Sequence, residues 1–320
     1  MTGPLATVIT VTGPLAPAEC AGAWFTHVHL LGGPVERVVS EDDPAALDLH
    51  LSDDAAAAAE LRLIAAAGVG GVVEMSCLDF NRDLRGLRQL SLDTGVSIVA
   101  TTGFRRGETA RAAGYRADWQ EMADRMRADV LVGEDGITCG VLKAGGGSSE
   151  LSEYDRAAIR AAATIQTETG LPISTHTEAG RQAVAQLREL ERWGADLSHV
   201  AVGHIDRETD RSVHRAVLET GASVLYDQIG KGKYGGIDYY VGLLNWLDGE
   251  GFAGQLLLSS DFGRRSYLQA YRGAPGLAYL KAEFRTAILD RGVRPELIDG
   301  ALGPNAWNFF ASRNQSSLVS

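Results

Sequence analysis

The chain has 320 residues, 45% of them hydrophobic, which is enough apolar material for a full buried core. A formal net charge of -11 argues against general electrostatic binding to nucleic acid or to an anionic membrane. Cys20, Cys77 and Cys139 have no close spacing, which argues against a disulfide scaffold and fits a reducing, cytoplasmic setting.

In chain order, residues 1–22 read as a short N-terminal β-hairpin capping one end of the fold. The segment has no basic leader and no sustained apolar stretch, so no signal peptide is expected, and no later run reaches membrane-spanning length. The first strand candidate is Ala23–Leu30. A helix is expected over Asp53–Ala67, opened by acidic residues and stopped at Gly68. The strand Gly70–Met75 follows, then a helix over Arg82–Thr94 stopped at Gly95, then the strand Val96–Thr102. The next strand is Thr138–Ala144. A helix over Ser152–Thr169 starts on a capping-box-like "SEYD" and stops at Gly170.

The pattern continues with strand Leu171–His176, helix Arg181–Trp193, strand Ser198–His204, helix Arg211–Thr220, strand Ala222–Asp227 and strand Gly254–Asp261. Pro304 marks the start of a C-terminal helix packed on the body, and residues 313–320 read as a frayed tail. Strands alternating with glycine-stopped helices predict an α/β fold. The expected form is a closed parallel (β/α)8 TIM barrel, with residues 1–320 as one domain. A doubly wound open sheet is the alternative, but no G-x-G-x-x-G follows the first strand.

The chemistry starts at His27 and His29. On a strand, residues i and i+2 point to one face, so both imidazoles share a target. Lys143, His176, His204 and Asp261 each end a later apolar run. In a parallel barrel those ends converge on one mouth. A lone histidine on an apolar strand is more often a satisfied core residue. Four of the seven histidines falling at strand ends point instead to a metal site. Imidazole and carboxylate suit zinc-like divalent ions.

Lys143 is unusual because lysine is rarely buried. Alternation places Cys139, Val141 and Lys143 on one face, toward the barrel axis. Lys143 could reach the rim, join a buried ion pair, form a Schiff base or be carboxylated to bridge two metals. Cys139 lacks a partnered base in the sequence and reads as packing.

Basic residues gather in the loops expected at the mouth: Arg105 and Arg106, Arg207, Lys231 and Lys233, and Arg264 and Arg265. They could bind an anionic group on a substrate, or pair with Asp206, Glu208 or Asp238. Tyr226 and Tyr234 lie near the seventh strand. Tyr234 is the better substrate contact, and Trp246 reads as core. The Gly145–Ser149 loop reads as a connector, with an oxyanion-binding role as the alternative. Asp227 reads as a loop organiser.

The ordered set "THVHL", "GVLKAG", "ISTHT", "VGHIDR", "YDQIGKGKYGG" and "LLLSSDFGRRS" resembles the phosphotriesterase family of the amidohydrolase superfamily, which includes the phosphotriesterase-like lactonases. The resemblance runs from about Val8 to the terminal "NAWNFF". It implies a (β/α)8 barrel with two divalent metal ions, zinc first and Mn, Co, Fe or Ni as alternatives. His27, His29 and Asp261 would then hold the more buried metal, and His176 and His204 the more exposed one. An N6-carboxylated Lys143 would bridge both.

The implied reaction is attack of a metal-bridging hydroxide on a carboxylic ester, a lactone first, with an anionic group as one option. Asp261 would accept the proton and pass it on. Alternatives are hydrolysis of a small N-acylated amine or of a phosphoester or phosphotriester. More remote are a Schiff-base lyase and a non-catalytic binding protein. The expected partner is a small-molecule substrate, not nucleic acid or a membrane, and a homodimer rests on the resemblance alone. Two departures stand out. Val28 replaces the glutamate often found between the first two histidines. Phe104 occupies the place of a tyrosine that family lactonases often carry near the metals.

Overall fold

The computed structural model describes residues 7–35, 43–147 and 149–312. The tail expected to fray over 313–320, the first six residues of the N-terminal hairpin and Ser148 of the glycine loop lie outside them. Strands β1 (Thr7–Thr10) and β2 (Gly13–Leu15) form the expected hairpin. The barrel strands follow in order: β3 (Ala23–Val28), β4 (Val69–Glu74), β5 (Ser97–Gly103), β6 (Val141–Gly145), β7 (Ile173–His176), β8 (Val200–Gly203), β9 (Ser223–Tyr226) and β10 (Leu256–Leu258). A last short strand, β11 (Ala311–Ser312), pairs antiparallel with β1.

The eight barrel strands run parallel in sequential order from β3 to β10. The first and last strands meet at a seam. There Thr26 Oγ1 donates to Leu258 O (2.9 Å), the His27 N–H to Ser259 Oγ (2.9 Å) and the Asp261 N–H to His27 O (3.1 Å). The result is the expected (β/α)8 barrel, nearly closed.

The local chemistry explains the helix ends. Asp53 accepts from the Ala56 N–H, and Ser152 and Asp155 cap each other reciprocally. Gly95 and Gly170 stop their helices in the left-handed conformation, at φ 73° and 68°. The helix expected from Arg82 starts at Leu84, because Asp83 caps it through the Gly86 N–H. Further helices occupy Trp119–Leu131 and Ile237–Gly249. The first of these buries Met122, Met126 and Val130 at four-residue spacing behind an Asp118 cap. No helix among the described residues is long and apolar enough to cross a membrane.

Strand alternation makes two cores. Trp24, Val99, Val141, Leu225 and Leu257 fill the barrel interior. Val8 of the hairpin and Phe309 and Phe310 of the C-terminal helix Pro304–Phe310 close it from below. Phe25, Ile98, Leu142, Ile173 and Val224 face outward, under the helices. Cys139 corrects the expectation that it shares a face with Val141. It lies in the outer layer, where its sulfur accepts from Arg82 Nη1 (3.2 Å). Strand β6 begins only at Val141, so alternation cannot be extended back to Cys139. Filling the bottom of the barrel leaves the opposite, C-terminal mouth for chemistry.

Candidate metal centre

His27 lies within β3 and His29 follows it. Lys143 lies in β6, His176 ends β7, and His204 and Asp261 follow β8 and β10. His204 and Asp261 adopt positive φ, 59° and 45°. Non-glycine residues pay for that conformation, and such strain concentrates at functional sites. Here it turns both side chains inward from the strand ends.

The side chains converge. Asp261 Oδ1 lies 3.3 Å from His27 Nε2 and 3.2 Å from His29 Nε2. His204 Nε2 lies 2.9 Å from His176 Nδ1. Lys143 is 2% exposed, and its Nζ donates to Thr175 O at 3.3 Å. All six residues line one cavity of about 190 Å³.

Each imidazole is held from behind. Asp227 accepts from Nδ1 of His27 through Oδ2 and from Nδ1 of His204 through Oδ1, both at 2.8 Å. His29 Nδ1 meets Ser76 Oγ (3.0 Å), which donates to Glu74 Oε1 (2.6 Å). His176 Nε2 meets Glu178 Oε1 (3.2 Å). Occupying one ring nitrogen fixes the tautomer and turns the other lone pair inward, as metal-ligating histidines require. His27, His204 and Asp227 also form a tight trio. Its contacts are the outer Nδ1 hydrogen bonds, so Asp227 is a bracket between two rings. It also accepts the His204 backbone N–H (3.0 Å), so it orders that loop as expected while bracketing the rings.

Electrostatics favour the same chemistry. Burial lowers His27 and His176 to about 3, and lowers His29, so these rings are neutral. Burial also lowers Lys143, favouring a neutral amine that can react or ligate. Burial alone would raise Asp261, but Lys231 and the facing imidazoles outweigh it and keep the carboxylate ionised. Neutral imidazoles and an ionised carboxylate are the protonation states that metal binding demands. The donor set therefore fits divalent transition metals.

The rim sorts the basic residues. Arg105, Arg207, Lys231, Lys233, Tyr234 and Arg264 line the cavity. Arg207 and Lys233 both sit over the Tyr234 ring, 4.3 and 4.7 Å from its centre. Their expected acidic partners are engaged elsewhere. Asp206 accepts from the Gln228 N–H and the Tyr240 hydroxyl, Glu208 from the Asp210 N–H, and Asp238 pairs with Arg291. Lys231 reaches Asp261 Oδ2 at 2.6 Å. Arg264 pairs with Asp48 at 3.3 Å.

Two arginines are not brought to the cavity. Arg265 is corrected as a substrate contact: its Nε donates to His50 O (2.7 Å) and its guanidinium lies over Tyr271. Arg106 turns to Glu178. Tyr226 is buried against His214, and Trp246 packs against the same ring. Phe104 is buried edge-on against Tyr115, so the next residue, Arg105, occupies the mouth.

Glu74, Ser76 and Glu178 carry no motif of their own in the sequence, and neither does Tyr267, whose ring lines the cavity with its centre 5.7 Å from Lys231 Nζ. Glu74 had a usable signal, since an acid ending the apolar run "GGVVEM" is as unusual as Lys143 in its own run. Glu178 follows His176 by two residues, a weaker cue.

A parallel barrel with this histidine-rich mouth defines the class, a metal-dependent hydrolase. The chain belongs to the phosphotriesterase family, whose model matches residues 6–310. It is 29% identical to the phosphotriesterase homology protein of Escherichia coli, over 82% of this chain and 91% of that one. The crystal structure of that protein with phosphate in its active site superposes with a TM-score of 0.83. The N-acetyltaurine hydrolase of Rattus norvegicus is 27% identical over 95% of this chain and 98% of its own. A lactonase from Listeria monocytogenes is 26% identical, with a TM-score of 0.90 over 97% of this chain and all of that one.

Proposed function

We propose that the cavity is a binuclear metal centre that hydrolyses a carboxylic ester, a lactone first, carrying an anionic group. The observation that carries this reading is the convergence of His27 Nε2 and His29 Nε2 on Asp261 Oδ1, with the opposite nitrogen of each ring already engaged. His27, His29 and Asp261 would hold one ion, and His176 and His204 the other. Carboxylated Lys143 would bridge them. Zinc is the first choice, with Mn, Co, Fe or Ni as alternatives. Bound there, two such ions would supply activation of water near neutral pH and polarisation of the scissile group.

The protein supplies the rest. Asp261 takes the proton of the attacking water and returns it to the leaving group. Its Oδ2 also meets Gln228 Nε2 at 2.9 Å, which keeps the carboxylate aimed. Arg207 and Lys233 supply positive charge at the mouth, with Arg105, Lys231 and Arg264 around them. The phosphate in the Escherichia coli protein and the sulfonate of N-acetyltaurine both support an anionic substrate. A cavity below the usual 300–1,000 Å³ range favours a small substrate.

Amide hydrolysis of a small N-acylated amine is the second reading, favoured by the N-acetyltaurine hydrolase relatives. A cytoplasmic location fits three buried free cysteines. The test is a metal-reconstituted activity screen over lactones, N-acyl amines and phosphoesters, each with and without an anionic group. Turnover of anionic lactones above all others supports the first reading. Preference for N-acyl compounds selects the second, and no metal-dependent turnover rejects both.

A further inference from the structure

The four imidazoles are not supported alike. Behind His27, His29 and His204 stand Asp227, Ser76 and Glu74, all buried. Behind His176 stands Glu178, whose side chain is 32% exposed. Glu178 Oε1 accepts from Arg106 Nη1 at 3.1 Å while meeting His176 Nε2 at 3.2 Å. One carboxylate oxygen thus joins the loop after β5 to the end of β7, across the strand that carries Lys143.

The backbone builds this clasp. Gly145 ends β6, and a Cβ there would stand 2.7 Å from both Arg105 O and His176 Cβ. Glycine lets the flanking elements close over the strand end, which brings Arg106 within reach of Glu178. Ala179 and Gly180 then take positive φ, 61° and 76°, and turn the chain back. Thr177 Oγ1 donates to Gly203 O (2.8 Å) and accepts from the Gly180 N–H (2.9 Å), fastening the turn to β8. Glu178 is therefore held from its backbone and its carboxylate at once. A solvated charge with no further role needs neither restraint.

We propose that Glu178, braced by Arg106, is the positioning residue for His176. It governs the metal position shared by His176 and His204 and leaves the position of His27, His29 and Asp261 untouched. The inference rests on the metal-centre reading above. It adds that the position of His176 and His204 has a support of its own at the solvent edge, besides the buried Asp227 that both positions share.

The test is a chelator-competition titration of the full chain with Zn or Co ions. It compares the wild type with Glu178→Ala, Glu178→Gln, Arg106→Ala and Ser76→Ala. Unfolding of each metal-free variant checks that folding is intact. The wild type should bind two equivalents. Glu178→Ala should weaken one of them about 10–100-fold, the usual cost of losing a partner behind a metal ligand. Glu178→Gln and Arg106→Ala should weaken the same equivalent less, and Ser76→Ala should weaken the other. Unchanged affinities in Glu178→Ala, or equal losses at both positions, would overturn the proposal while leaving the metal centre standing. Failure of the wild type to bind two equivalents would instead reject the metal centre itself.

Discussion

Asp227 Oδ2 and His27 Nδ1 meet at 2.8 Å, with both side chains buried. The other oxygen of the same carboxylate takes Nδ1 of His204. One acid thus sets rings assigned to different ions, so its loss should disturb both positions. Asp227→Asn replaces one acceptor with a donor and leaves a buried ring N–H facing it. The expected cost is about 1–3 kcal/mol in the metal-free protein. Both equivalents should bind about 10–100-fold more weakly. Denaturant unfolding and metal titration read the two effects separately. An effect on only one equivalent would contradict the bracket role.

The acid limb of stability follows from the buried rings. Burial lowers His27 and His176 to about 3 from 6.5. Below 6.5 the unfolded chain therefore binds protons that the folded chain refuses. Their contribution is full above 6.5 and is lost as pH falls toward 3. Glu74 acts the other way. Burial pushes it up to about 8 from 4.5, so its contribution is present below 4.5 and is lost as pH rises through about 8. Urea unfolding of the metal-free wild type should give lower stability at about pH 5 than at about pH 6.5. Glu74→Gln should gain on the wild type as pH rises from about 5 to about 8. A pH-independent difference would count against a raised Glu74.

Lys143 separates chemistry from packing. Lys143→Met keeps most of the buried chain length and removes the nitrogen. The folded barrel should survive, while metal-dependent turnover should be abolished and the metal content should fall. Asp261→Asn should lower kcat more than it lowers the unfolding free energy. Normal activity in either purified variant would remove that residue from the catalytic set.

The rim makes a charge-specific prediction. Arg207→Gln or Lys233→Gln should raise KM for an anionic substrate about tenfold, equivalent to about 1.4 kcal/mol. A neutral analogue of the same size should be unaffected. Equal changes for both substrates would show that these residues shape the mouth without reading charge.

The barrel and the six converging residues were legible because their signals are periodic or chemically costly. His27 and His29 share a face two residues apart, past a register irregularity between Phe25 and Val28, and Lys143 stands in an apolar run where lysine is expensive. The supports were not legible for the opposite reason. Which nitrogen of His27 meets Asp227 depends on strands 200 residues apart. Arg264 and Arg265 are adjacent and chemically alike. Asp48 holds the first at the cavity, while the backbone of His50, Ser52 and the Tyr271 ring draw the second away. Cys139 was misplaced because alternation was carried past the start of its strand.

The most direct measurement is metal content against turnover. The protein is stripped with a chelator, titrated with zinc, and assayed on a lactone that the untreated enzyme hydrolyses. Activity should vanish on stripping and return in step with two equivalents per chain. Undiminished hydrolysis by the stripped protein would contradict the central claim.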